Sequence, residues 1–152
     1  IYYSLAFAKF NREDYFGARR VIEDAVKLNP NRADWYLLAG WIDLKTNNAS
    51  QALASFEKAK SIDQNQAVIH EGIGDAEMVL GNFSNARNAY SRARIIDPSN
   101  ALYSLKLAHA AALDGDQNIA KQWYDNAVAS AGAVGLPKEL LEKVSALIEN
   151  NK

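Results

Sequence analysis

The chain has 152 residues, 49% hydrophobic and 23% charged, a composition expected of a soluble, all-helical domain. Its 17 basic and 18 acidic residues leave a net charge of −1, too weak a field to gather nucleic acid or an anionic membrane surface. The absence of cysteine excludes disulfides, thiolate chemistry and zinc ribbons but fits cytoplasm and bacterial periplasm equally, and no stretch approaches the roughly 20 apolar residues of a membrane span.

Ile1 to Ala8 reads as the inside of an amphipathic helix with no initiator Met, signal sequence or cap. The chain is therefore expected to be a fragment, with an upstream unit covering part of Tyr2, Tyr3 and Phe10. A second helix from Asp14 to about Leu28 carries Val21, Ile22, Ala25 and Leu28 at helical spacing, and Pro30 cannot continue it. The next runs from Ala33 to Lys45 and is ended by Thr46-Asn47-Asn48. Ser50 is the expected N-cap of the helix carrying Ala52, Leu53, Phe56 and Ala59, because its hydroxyl can accept an orphan amide of the first turn. Gly81-Asn82 and Gly115-Asp116 are expected turns in which a residue tolerant of positive φ closes a helix end. Gly72-Ile73-Gly74 falls inside a helix at a packing position, so it is no nucleotide-binding loop. Ser130 to Pro137 is a longer Gly-containing linker, and Pro137 suits the first turn of a new helix. From Lys138 to about Glu149, Leu140, Leu141, Val144, Leu147 and Ile148 gather on one side against Lys138, Glu142, Lys143 and Glu149. That is the pattern of a helix that hides the last apolar face of an array, with a partner-binding or swapping helix as the alternative.

Self-similarity organises these elements. A small residue recurs at Ala18, Ala52, Ala86 and Ala120, each 34 residues after the last. A larger apolar residue follows at Ile22, Phe56, Tyr90 and Tyr124, and a second small one at Ala25, Ala59, Ala93 and Ala127. The first helix of each copy carries Leu5-Ala6, Ala39-Gly40, Ile73-Gly74 and Leu107-Ala108, and Asn29-Pro30-Asn31, Asp63-Gln64-Asn65 and Asp97-Pro98-Ser99 close the first three copies. This pattern resembles the tetratricopeptide repeat. It departs from that family at Gln64 and Gly132, where a closing Pro is usual, and at Lys9, Asp43, Glu77 and Ala111, where a bulky aromatic is preferred. The resemblance implies an all-α, right-handed superhelix of four antiparallel helix pairs, residues 1–32, 33–66, 67–100 and 101–132, followed by a linker and capping helix over 133–152. Residues one period apart on stacked helices come close, so Lys9, Asp43 and Glu77 are expected to form a semi-buried ladder in which Lys9 pairs with Asp43.

Chemistry is nearly absent from the sequence. Neither His70 nor His109 has a second His or a carboxylate at the spacing of a metal pair, the nearest acid to His109 being Asp75 one repeat away. No nucleophile elbow, phosphate-cradling loop or nucleophile with a local base occurs, so no catalytic residue, metal or cofactor is expected.

Function must therefore come from a surface. The resemblance implies that the first helix of each unit lines a concave groove where partner peptides lie. Transferred residue by residue, the groove comprises Tyr3, Phe7 and Phe10; Asp34, Leu37, Trp41, Leu44 and Lys45; Val68, Glu71, Asp75, Met78 and Val79; and Leu102, Leu105, His109, Ala112 and Leu113. Members that hold chaperone tails clamp carboxylates with Lys, Arg and Asn. Here the corresponding places carry residues such as Tyr3, Phe7, Leu38, Val68, Gly72 and Leu102, with Lys106 alone, which rejects that subclass. The expected ligand is an apolar or amphipathic peptide or helix anchored on Trp41, Phe7 and Met78, beside a small acidic spot at Glu71 and Asp75. Filling of the trough by another helix of the same protein, or by a second copy in a homo-oligomer, is the competing expectation. A different class of function, a periplasmic repeat domain in bacterial outer-membrane assembly or polysaccharide export, would have Tyr3, Trp35 and Trp41 stacking on sugars, although the groove offers few polar groups to fix hydroxyls.

Overall fold

The structure, a computed structural model, describes residues 1–131 and 135–150 and builds them into α-helices with no strand among them. In chain order these are α1 (Tyr2–Asn11), α2 (Tyr15–Leu28), α3 (Ala33–Lys45), α4 (Ala49–Ile62), α5 (Ala67–Val79), α6 (Phe83–Ile96), α7 (Ala101–Leu113), α8 (Gln117–Ala131) and α9 (Lys138–Glu149). Helices α1 to α8 pack mainly on their neighbours in sequence, α3 also touches α1 and α5, and α9 packs mainly on α7, so the chain winds as a superhelix of stacked layers. Of the linker expected over Ser130 to Pro137, residues 132–134 lie outside the described residues, and Gly132 and the unit boundary beside it fall there too.

The 34-residue period is visible in the backbone itself. Glu13, Asn47, Gly81 and Gly115 stand one period apart, and all four take positive φ, between 60° and 87°. At each the next amide turns back onto the preceding helix: Asp14 N–H to Lys9 O, Asn48 to Asp43, Asn82 to Glu77 and Asp116 to Ala111, at 2.8 to 3.0 Å. Helix-end carbonyls are thereby satisfied and the chain reverses within three residues. The expected N-cap at Ser50 is displaced by this geometry. Because Asn47 makes the turn, α4 begins at Ala49 with Asn48 in the cap position, and Ser50 lies inside the helix.

The unit closures recur too. The side chains of Asn29, Asp63 and Asp97 each accept the amide two residues on, from Asn31, Asn65 and Ser99, at 3.0 to 3.3 Å. Such a side-chain turn redirects the chain without proline, which is why Gln64 can stand between Pro30 and Pro98. Asp63 is further held by Gln66 Nε2 at 2.8 Å.

Packing between layers depends on missing side chains. The fully buried Phe56 ring is wedged between Gly40 and Gly72, where a Cβ on either glycine would lie 2.5 Å from a ring carbon. Tyr90 meets Gly74 in the same way at 2.4 Å.

The expected ladder is not formed. Lys9 pairs with Asp14 at 2.7 Å, Asp43 pairs with Arg19 and accepts from Ser55 Oγ at 3.2 Å, and Glu77 accepts from Asn82 and Asn85 at 2.7 and 3.2 Å. Side chains at this position point toward the second-helix layer and the turns, so their nearest donors are there rather than on the neighbouring first helix. Burial pushes the Asp43 carboxyl above its ordinary range, against the opposing pull of Arg19 and Ser55.

Candidate functional site

The groove residues come from α1, α3, α5 and α7. Phe7 is 45% exposed and stacks on Tyr3, the ring centroids 6.0 Å apart, and Tyr3 in turn tilts against Trp35. Burial, with Asp34 nearby, raises the Tyr3 phenol. Trp41 is half-buried with its ring edge-on to Phe56 at 5.1 Å, and Leu44 packs on the same cluster. Met78 is half-buried against Tyr90 and Leu107, while Val68 and Val79 are 40% and 67% exposed.

Four expected groove residues are placed otherwise, one of them Ala112, buried beside Ala111 and Ala120 with Leu147 and Ile148 of α9 against it. Leu37 is buried in the cluster formed by α3, α4 and α5. Leu105 is wholly buried beneath Leu141 and Val144 of α9, which covers it much as α5 covers Leu37. Phe10 turns away and sets its ring edge-on against Tyr15 of α2 at 5.7 Å. Helical position 37, and position 105 two periods later, face the next layer instead of solvent. Trp35, considered for sugar stacking, is likewise buried, with Arg32 over its ring at 4.8 Å.

Glu71 and Asp75 do not form an open acidic spot. Lys106 Nζ donates to Glu71 Oε1 at 2.7 Å and to both Asp75 oxygens at 2.8 Å, and Tyr90 Oη donates to Asp75 Oδ1 at 2.7 Å. Burial alone would depress the Lys106 ammonium, but Asp75 and Glu71 outweigh it and hold its pKa above the ordinary value. Burial, and then Asp75, push the Tyr90 phenol far up. The cluster carries two carboxylates and one ammonium, and its donors are committed internally. Lys106 and the Tyr90 hydroxyl are the partners that reading each helix alone misses. The signal was their spacing: Lys106 lies 35 and 31 residues beyond Glu71 and Asp75, close to one period.

The histidines are separated. His70 is buried and its Nε2 donates to the Gln64 carbonyl at 2.9 Å, a structural role. His109 faces α9. Burial, with the Lys143 ammonium adding to it, lowers the imidazole to about 4, and its Nε2 has no hydrogen-bond partner among the described residues. No group of three or more His, Cys, Asp or Glu among the described residues could hold a metal ion.

Of the expected groove residues, Phe7, Val68 and Val79 are thus exposed apolar side chains on a repeated helical frame. The tetratricopeptide-repeat family model matches residues 3–67 and 72–133, most of the chain. The chain belongs to the tetratricopeptide-repeat family. No curated protein sequence matches it. Among solved structures, this tetratricopeptide chain is similar to MamA from Desulfovibrio magneticus RS-1, with 22% identity and a TM-score of 0.79, covering 84% of this chain and 72% of that one. It is also similar to a thermophilic tetratricopeptide protein of Thermus thermophilus, with 17% identity and a TM-score of 0.78, covering 98% and 80%. PilF of Pseudomonas aeruginosa shares 14% identity at a TM-score of 0.85, covering 98% and 67%. These likenesses establish the fold. Tetratricopeptide folds generally mediate protein–protein interaction and are generally non-catalytic. No helix among the described residues is long and apolar enough to cross a membrane.

Proposed function

We propose that the chain is a non-catalytic scaffold of four helix-pair units that binds an apolar or amphipathic segment of a protein partner along α1, α3 and α5. The observation that carries this reading is the groove's balance of free groups. Of the two lysines at or beside the expected groove, Lys106 is consumed by Glu71 and Asp75 and Lys45, at the end of α3, is exposed, whereas Phe7, Val68 and Val79 present apolar surface to solvent. A carboxylate clamp needs uncommitted donors; an amphipathic helix needs exposed apolar area and adaptable anchors such as Trp41 and Met78. α9 carries such a helix's pattern and already buries Leu105, which leaves the open length of groove to the first three units.

The test is a comparison of the parent chain with Phe7→Ser/Val79→Ser in a pull-down from cells of the source organism, read by mass spectrometry, with thermal midpoints measured in parallel. Both side chains are exposed, so the midpoint should stay within a few degrees. A protein held by the parent and lost by the variant supports the groove; equal recovery from both overturns it.

A further inference from the structure

On the opposite, second-helix side, a furrow of about 530 Å³ runs between α2 and α4. From Arg19 to Lys27 it is bounded by two turns of α2, roughly 12 Å. Its floor is apolar: Ile22 and Val26 from α2, Ala39 from α3 and Ala54 from α4. The period provides internal controls. One unit on, the equivalent furrow between α4 and α6 carries Lys60, Ile73 and Asn88 where the first carries Val26, Ala39 and Ala54. There the floor is raised by a larger residue and the walls are polar. Another unit on, the place of Ser55 and Ala89 is taken by Trp123, whose indole packs against Tyr90 and Leu107 with Arg94 over its ring at 4.3 Å. The third furrow is filled by an indole roofed by a cation. The first is an equivalent space, open, apolar at its base and rimmed by Arg19, Lys27 and Lys58, with the Glu23 carboxylate held by Arg19.

Those cations differ in what they already hold. Arg19 is committed to Asp43 and Glu23, and Lys27 to Asp24. Lys58 has no ion pair among the described residues, and its ammonium lies 5.8 Å from the Tyr36 ring centroid at the furrow's edge. An occupant should therefore bring an aromatic ring for the floor and an anion for Lys58. We infer that the α2–α4 furrow is a second docking site, which takes an aromatic side chain flanked by carboxylates from a protein partner. It lies across the helix layer from the concave groove and stands or falls independently of it.

The probe is the tripeptide acetyl-Glu-Trp-Glu-amide, titrated to millimolar concentration into the isotopically labelled chain and followed by amide chemical shifts, with acetyl-Lys-Trp-Lys-amide as the charge-reversed control. Shifts should centre on Val26, Ala39, Ala54 and Lys58. Ala39→Ile, which installs the residue found at position 73, should abolish them while circular dichroism still shows a folded helical chain. Lys58→Glu, on an exposed side chain with no ion pair among the described residues, should weaken the acidic peptide about tenfold and favour the basic one. The inference is overturned by any of four results: no binding, equal binding by both variants, shifts confined to Phe7, Trp41 and Met78, or concentration-dependent shifts without peptide, which would make a second copy the occupant.

Discussion

Glu13 and Asn47 hold the left-handed conformation that Gly81 and Gly115 hold at the equivalent turns. For a residue with a Cβ that conformation costs about 1 kcal/mol or more, and Glu13 is exposed with no ion pair among the described residues. Glu13→Gly should accordingly stabilise the chain by about 0.5–1 kcal/mol, read as a higher thermal midpoint; a fall would mean that the loss of unfolded-chain order outweighs the relieved strain. Gly72 presents the opposite case. Its missing Cβ leaves room for the Phe56 ring, which Gly40 confines from the other side and which therefore cannot retreat. Gly72→Ala should cost about 2–3 kcal/mol of unfolding free energy in denaturant titration. Phe56→Leu should recover part of that loss in the double variant, the signature of one shared clash. The sequence displays both glycines and the aromatic at their repeat positions. It does not display their meeting, since Gly40 and Gly72 are 32 residues apart, off the period, and touch through a third residue.

At the scale of elements, the helices and their turns were legible, because local hydrogen bonding and apolar spacing decide them; the side-chain turn at Asp63 that lets Gln64 replace a closing proline was not. Nor was exposure of the groove. Leu37 and Leu105 share a repeat position with Tyr3 and Glu71, and only the neighbouring layer determines which of these are hidden. The α7–α9 contact makes this measurable through His109. In the unfolded chain its imidazole takes a proton near 6.5, whereas in the folded chain it does so only near 4, because α7 and α9 bury it and Lys143 stands opposite. Between those values the unfolded state binds the extra proton, so this contribution is fully present above pH 6.5 and is lost as pH falls toward 4. Discounted for the ring's partial exposure, the loss is about 2 kcal/mol. Asp43, whose carboxyl is pushed up, works in the other direction, and Asp14, Asp63 and Asp114, held low, act with the same sign at more acidic pH. Denaturant midpoints at pH 7 and pH 4.5 should therefore separate for the parent chain, and the separation should shrink in His109→Gln. An unchanged separation would place the sensitivity elsewhere.

Across the whole molecule, stability in a stacked array is approximately a sum of units and the interfaces between them. The interfaces here are unequal. α3, α4 and α5 share one cluster around Phe56, and the positions corresponding to Tyr2 and Leu5 in later units, such as Tyr36 with Ala39 and His70 with Ile73, lie against a preceding second helix. α1 is covered on one side, and Tyr2 and Leu5 are 42% and 47% exposed, with Phe16 of α2 at 77%. At the other end α9 seals α7 through Leu141 and Val144 but leaves Tyr124 half-buried, where Phe56 and Tyr90 are fully enclosed. Local opening follows the least-buried interface. Amide hydrogen exchange should be fastest in α1, intermediate in α8 and α9, and slowest in α4 and α5. Val144→Asp places a charge in the sealed contact and should accelerate exchange in α7 through α9 while leaving α4 near its parent rate. Uniform acceleration along the chain would instead show that the layers unfold as one unit, and that the cluster around Phe56 does not set a separate limit.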